Sequence, residues 1–271
     1  MRCFLSLLAI FISLAPQNTW SLELNGDFIE GGLVFGKTTP GSQVILNDQG
    51  VPLTPDGNFL LGFHRDSPAQ MVLKVVSPNG QTETRTLTIK QRQYRIQRID
   101  GLPPNKVNPP QSGIIQQRLR REKADLTTAR QRISPYSLYT SGFIWPAKGY
   151  ISGVFGSQRI LNGETKQPHY GVDVAAPIGT TVYAPADGVV TLIQDNYIGG
   201  RMIVLDHGFG LTSSFLHLKA WHIQEGQAVR QGTPIGTIGS TGRSTGPHLD
   251  WRMNWFDARI DPQRLVGPMK K

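Results

Sequence analysis

Between residues 22 and 98 apolar and polar positions alternate in short runs, at Gly32–Phe35, Gln43–Leu46, Asn58–Phe63, Gln70–Val76 and Glu83–Ile89. A period of two sends successive side chains to opposite faces, so each run predicts a half-buried strand. Turn-forming clusters separate the runs: Thr39-Pro40-Gly41, Asp48-Gln49-Gly50, Pro55-Asp56-Gly57 and Pro78-Asn79-Gly80. Residues 22–98 therefore read as a small β-sandwich-like module. No cluster of catalytic residue types falls in it, and its one histidine, His64, stands beside Arg65-Asp66 and reads as a surface residue, so the module is expected to bind or to position.

The pattern then changes. Pro103-Pro104 and Pro109-Pro110 make residues 101–112 a stiff connection. Residues 113–132 show helical spacing, with Ile114, Ile115, Leu119, Leu126 and Ala129 as apolar positions and Arg118, Arg120, Arg121, Lys123 and Arg130 around them. We assign 99–142 to a linker with a basic helix whose charged face is solvated. From 143 to 267 strand patterns return at Thr180–Ala184, Val189–Gln194, Arg201–Leu205, Leu211–Leu218 and Pro234–Ile238, punctuated by Ala186-Asp187-Gly188, Gly199-Gly200 and Asp206-His207-Gly208. The predicted fold class is mainly β: an N-terminal sandwich-like module, a short linker helix and a C-terminal antiparallel sheet.

The N-terminus adds a destination. Met1-Arg2 precedes an apolar run over residues 4–15, which has the length of a signal-peptide core and is short for a bilayer span. Thr19-Trp20-Ser21 places small residues for cleavage after Ser21, so residues 1–21 are expected to be a signal peptide, with no transmembrane segment after cleavage. The competing reading is an uncleaved anchor. Cys3, the single cysteine, lies ahead of the apolar run. A mature chain would thus hold no thiol, which excludes a cysteine nucleophile, a disulfide scaffold and a thiolate metal site. With 38% hydrophobic residues the chain is rich enough to build packed cores. The formal charge of +9 favours polyanions such as anionic wall polymers or membrane surfaces. No nucleic-acid-binding motif accompanies the charge, and nucleic acid is not an expected partner.

Five of the six histidines lie in the second β region: His169, His207, His217, His222 and His248. His169 and Asp173 are separated by Gly171 and Val172, which disfavour a helix. In an ideal strand four residues span roughly 13 Å, so the chain must curl or bulge if the two are to meet at one metal. Gly171 permits the bend. His217 sits inside the apolar run Phe215-Leu216-His217-Leu218, a context that suits a satisfied core histidine as well as a functional one. The Gly-rich stretch Ser240–Gly246 leads to Pro247-His248-Leu249-Asp250, where His248 and Asp250 project to one face of a strand. Three histidines and two carboxylates suffice for a catalytic metal site with three protein ligands, an open position and a nearby base.

His169-x-Gly171-x-Asp173, Ala184-Pro185-Ala186-Asp187-Gly188, Asp206-His207-Gly208-x-Gly210, His217-Leu218 and the run Ser240–Leu249 together resemble the lysostaphin-type (LytM-like) zinc metalloendopeptidases of the peptidoglycan hydrolase family. The resemblance covers about residues 143–265. The residues before it are similar, more weakly, to the β-rich N-terminal module of some Gram-negative members. The resemblance implies a LytM-type metallopeptidase domain over 143–267 and Zn²⁺ as cofactor. It implies His169 and Asp173 as zinc ligands and His217 and His248 as the catalytic pair. The implied substrate is the peptide cross-link of bacterial peptidoglycan, with the periplasm as compartment. His207 matches no catalytic position and reads as a turn residue, His222 as a surface one.

One position departs from the family. Its last motif reads His-x-His, whose second histidine completes the zinc site, and here that position is Asp250. A carboxylate is a legitimate zinc ligand, so Asp250 is the expected third ligand. It would leave zinc and its ligands formally neutral, where a histidine would leave one positive charge, and should make the metal a weaker Lewis acid. The alternative is a catalytically degenerate LytM-domain protein that binds the wall or regulates other murein hydrolases. A carrier domain of the biotinyl or lipoyl type is a third reading. It requires a lysine on an exposed hairpin tip, and the Asp206-His207-Gly208 turn has none.

Overall fold

The computed structural model describes residues 21–108 and 110–269. The signal-peptide assignment to 1–21, Cys3 with it, lies almost wholly outside the described residues. The first module contains β1 (Glu23–Gly26), β2 (Leu33–Lys37), β3 (Gln43–Leu46), β4 (Gln49–Val51), β5 (Asn58–Gly62), β6 (Gln70–Val76) and β7 (Thr82–Thr88). They form a three-stranded sheet of order β1-β2-β5 and a four-stranded sheet of order β4-β3-β6-β7, all antiparallel. Val34, Phe59, Leu61, Leu73 and Val75 are almost fully buried, as the alternating pattern requires.

The connection holds β8 (Ile96–Ile99), α1 (Pro104–Val107) and α2 (Gly113–Arg130). Ser112 caps α2 by accepting a hydrogen bond from the Ile115 amide at 3.4 Å. The helix is not merely a spacer. Ala129 packs with Met202, Val204 and Leu216 in a separate apolar cluster. The buried Glu122 carboxylate accepts from the Tyr197 amide. The helix closes one face of the second sheet, and the solvated basic face holds for only part of the set: Arg130 is buried near Ser214, because the end of the helix packs onto the sheet.

That sheet is built from β9 (Tyr150–Gly153), then, after the hairpin β10 (Gln158–Leu161) and β11 (Glu164–Thr165), from β12 (Val172–Ala175), β13 (Thr181–Tyr183), β14 (Gly188–Asn196), β15 (Gly200–Gly208), β16 (Leu211–Trp221), β17 (Ala228–Val229), β18 (Pro234–Ile238), β19 (His248–Trp255) and β20 (Ala258–Ile260). Its main path runs β17-β14-β15-β16-β19-β12-β9, with β20 on β19 and the pair β18-β13 branching from β16. The hairpin β10–β11 stands apart and pairs β10 in parallel with β8 of the connection. Neither β8 nor β10 showed in the sequence pattern, because a pairing over some sixty residues is selected by contact and leaves no local period.

The two β regions share one continuous core that includes Leu60, Leu61 and Phe63 from the first and Trp255 and Ile260 from the second. Gly62 lies so close to Trp255 that an added Cβ would stand 2.7 Å from the tryptophan Cβ. Polar clamps surround this apolar contact. Arg92 bonds Asp261 at 2.8 Å, and Arg65 Nε donates to the Gly156 carbonyl at 2.9 Å. His64 accordingly is half-buried and packs its ring 5.7 Å from Tyr170.

Candidate metal centre

His169 lies in the irregular stretch before β12, with its backbone tied at both ends. Its amide donates to the Ser157 carbonyl at 2.9 Å, and its carbonyl accepts from the Gly156 amide at 2.7 Å. Four residues on, Asp173 is the second residue of β12, where the pairing with β9 slips by a residue. The bend at Gly171 and this bulge bring His169 Nε2 to 3.1 Å from Asp173 Oδ1. Both atoms are buried and neither has a hydrogen-bond partner. Unpartnered buried polar atoms carry a cost of about 1–3 kcal/mol each, and two of them converging on one point form a cradle for a cation.

Asp250 completes the group. It sits on β19 directly opposite Asp173 on β12, and it offers a ligand atom within 4.8 Å of those of His169 and Asp173. Gly171 makes the room: an added Cβ there would meet Asp250 Oδ1 at 2.5 Å. Arg252, two residues along the same strand and hence on the same face, grips the Asp250 carboxylate. Its Nε lies 3.0 Å from Oδ1 and 3.1 Å from Oδ2, and its Nη2 bonds Oδ2. Burial would raise the Asp250 pKa, but the Arg252 charge overrides it and holds the carboxyl well below the usual carboxylate range. Arg159 of β10 approaches Asp173 Oδ2 at 3.5 Å, which leaves Oδ1 of that residue toward His169.

The two remaining histidines stand beside this group. His248 Nε2 is 3.8 Å from Asp173 Oδ1, and the His217 and His248 rings have centroids 4.8 Å apart. His217 Nδ1 bonds the Thr241 carbonyl at 2.8 Å and His248 Nδ1 the Gly246 carbonyl at 2.8 Å. A carbonyl only accepts, so Nδ1 carries the proton in both rings and Nε2 is left bare in the neutral form. His217 adopts a left-handed backbone with φ of 64° at the point where β16 leaves β19 and takes up β18. A non-glycine residue in that region is strained and persists where the surroundings fix it. Burial pushes the His217 pKa below its ordinary value.

All five predicted side chains thus converge: His169, Asp173 and Asp250 as a candidate ligand set, with His217 and His248 beside it. His207 does not join them and is not a turn residue. It is fully buried at the end of β15, with Nδ1 on the Asp187 carbonyl and Nε2 on the Ser213 hydroxyl, each at 2.7 Å. The turn begins two residues later, at Phe209, and the apolar surroundings that bury His207 are set by the sheet. His222 is exposed. Sequence reasoning missed Arg252 and Arg159. The first was legible in Asp250-x-Arg252, a spacing that puts both on one strand face; the second had no local signal.

Residues 167–262 match the family described as Peptidase family M23. Peptidoglycan DD-endopeptidase ShyA of Vibrio cholerae is 41% identical over 125 residues, 45% of this chain and 29% of that protein. The DD-carboxypeptidase/endopeptidase Mpg of Neisseria meningitidis is 42% identical over 113 residues, 42% of this chain and 25% of that protein. The chain spans less than a third of the length of these curated relatives. A crystal structure of a candidate M23 peptidase from Pseudomonas aeruginosa superposes with a TM-score of 0.68 at 28% identity, covering 89% of this chain and 96% of that one. That likeness takes in the first module as well as the peptidase region.

Proposed function

We propose that this chain, whose residues 167–262 match peptidase family M23, is an exported zinc metalloendopeptidase that hydrolyses peptide cross-links of bacterial peptidoglycan in the periplasm. The D,D-peptide bond is the substrate suggested by relatives named DD-endopeptidases. The observation that carries the reading is the convergence of two unpartnered buried atoms, His169 Nε2 and Asp173 Oδ1, beside Asp250 and two histidines with bare Nε2 atoms.

In this reading His169, Asp173 and Asp250 hold the zinc, which when bound supplies Lewis-acid polarisation of the scissile carbonyl and an acidified water. His217 and His248 do the proton work. One Nε2 accepts the proton that water gives up as its oxygen bonds the carbonyl carbon. The same proton then passes to the leaving amine as the C–N bond breaks. The other ring donates to the oxyanion as an imidazolium, its Nε2 proton drawn from solvent before the reaction and retained through it. The carbonyls of Thr241 and Gly246 keep both rings in the tautomer this requires.

Incubation of the purified chain with peptidoglycan sacculi, followed by chromatography and mass spectrometry of the soluble fragments, tests the proposal. Conversion of cross-linked dimers to monomers, absent in His248→Ala, is the expected result. The Arg252 grip on Asp250 favours a second reading, in which an arginine satisfies the third position and the domain only binds the wall. Retained sacculus binding with no cleavage and no zinc would select it.

A further inference from the structure

Two carboxylates facing each other across β12 and β19 are a liability that a bound dication would offset, leaving a two-carboxylate, one-histidine centre formally neutral where a two-histidine set would keep one positive charge. The structure places a third charged group there. Arg252 is half-buried, lies on the same face of β19 as Asp250, and contacts its carboxylate three times. The contacts are unequal. Oδ2 receives both Nε and Nη2, which fills the two lone pairs of that oxygen, whereas Oδ1 receives Nε alone. Oδ1 is also the oxygen that lies where a Cβ of Gly171, the residue midway in sequence between His169 and Asp173, would stand.

We infer that Arg252 is a positioning residue of the metal centre, which turns Asp250 so that Oδ1 ligates and whose positive charge replaces the one lost with the histidine. The inference rests on the metallopeptidase reading above. Asp250 and Arg252 then act as one unit: the pair presents a single neutral-on-balance donor to the metal, as a histidine does. Arg252 and the metal share the carboxylate rather than compete for it, since they use different oxygens. On this inference the two would have to change together. A histidine at 250 beside Arg252 would place an unpaired guanidinium next to a cation, a like-charge contact with no compensating bond.

The test is a double-mutant cycle read on zinc affinity, measured by competition with a chromogenic chelator on chains verified as folded by circular dichroism. The chains are the wild type, Asp250→His, Arg252→Gln, Asp250→His/Arg252→Gln and Arg252→Lys. Loss of an outer partner of a ligand weakens metal affinity by roughly 10–100-fold, so Arg252→Gln is expected to lose about tenfold. Arg252→Lys, which keeps the charge without the fork, should fall between it and the wild type. Asp250→His should lose at least as much as Arg252→Gln, and the double variant should recover to within about threefold of the wild type. A merely structural arginine would lower the unfolding temperature of the metal-free chain in every Arg252 variant and leave zinc affinity unchanged, which overturns the inference. So does an Asp250→His chain that binds zinc as well as the wild type with Arg252 in place. If Asp250→His fails to fold, equal zinc affinities of Arg252→Gln, Arg252→Lys and the wild type overturn it instead. A wild type that takes up no zinc overturns the metal reading itself, and this inference with it.

Discussion

Asp173 and Asp250 are direct cross-strand neighbours in the antiparallel pair β12–β19. Like charges in that relation destabilise a sheet, and here they are buried, at 7% and 2% exposure. A cation between them changes the sign of the interaction. Zinc at about a hundredfold excess over its Kd should therefore stabilise the chain by about 2.7 kcal/mol, a rise of roughly 5–10 °C in Tm for a protein of this size. Calorimetry with and without chelator measures it. The zinc-dependent rise should vanish in Asp250→Ala; its survival there would place the third ligand elsewhere.

The ligands and the bases should separate in a metal-content assay. His217→Ala and His248→Ala remove proton transfer and are expected to cut the rate by about 10²–10⁴-fold while binding one zinc per chain. His169→Ala and Asp173→Ala should lose metal and activity together. Zinc lost from His217→Ala would make that residue a ligand.

Gly171 has an ordinary backbone conformation but no room for a side chain, because its Cβ would meet Asp250 Oδ1 at 2.5 Å and the Trp251 carbonyl at 2.7 Å. Gly171→Ala should displace Asp250 and weaken zinc binding by roughly tenfold or more, in line with the loss of a ligand's support. Equal zinc affinity in the two chains would show that Asp250 is not held by that contact.

Acid should act on the fold through His207. Burial lowers its folded pKa below the ordinary value, so the unfolded chain takes up the proton first. Its contribution is whole above the unfolded value of about 6.5 and is lost as the pH falls through the lower folded value. The Tm at pH 5 should therefore lie below that at pH 7.5, and the gap should narrow in His207→Gln. The same depression in His217 keeps that ring neutral somewhat below pH 6.5, so the fall in activity on the acid side should come beneath that point. A rate that stays flat from pH 8 down to 5 would argue against histidine as base.

The first module should matter to the metal although it contributes no ligand. Arg65 holds the Gly156 carbonyl, and Gly156 and Ser157 in turn hold both backbone groups of His169. Arg65→Ala removes a hydrogen bond worth about 1 kcal/mol, and a loss of around fivefold in zinc affinity is expected with the fold retained. Unchanged affinity would confine Arg65 to the interface between the two regions.

Several strands were readable because their runs are bounded by turn residues, and β3, β6 and β18 run between the residues that the alternation indicates. Which five side chains would gather at one place was readable as well, since candidate metal ligands and bases are drawn from few residue types and their local motifs survive in order along the chain. The tertiary structure alone decided the rest. No local pattern encodes the parallel pairing of β8 with β10, or a core that runs from Leu61 to Ile260, because each joins segments far apart in sequence. The left-handed backbone of His217 follows from β16 changing partners in mid-strand. His207 reads as a turn residue until the sheet buries it. Asp250 reads as a lone departure until β19 folds its neighbour Arg252 onto the same face and β12 brings Asp173 opposite, because the charge of a buried carboxylate is settled by what surrounds it in space.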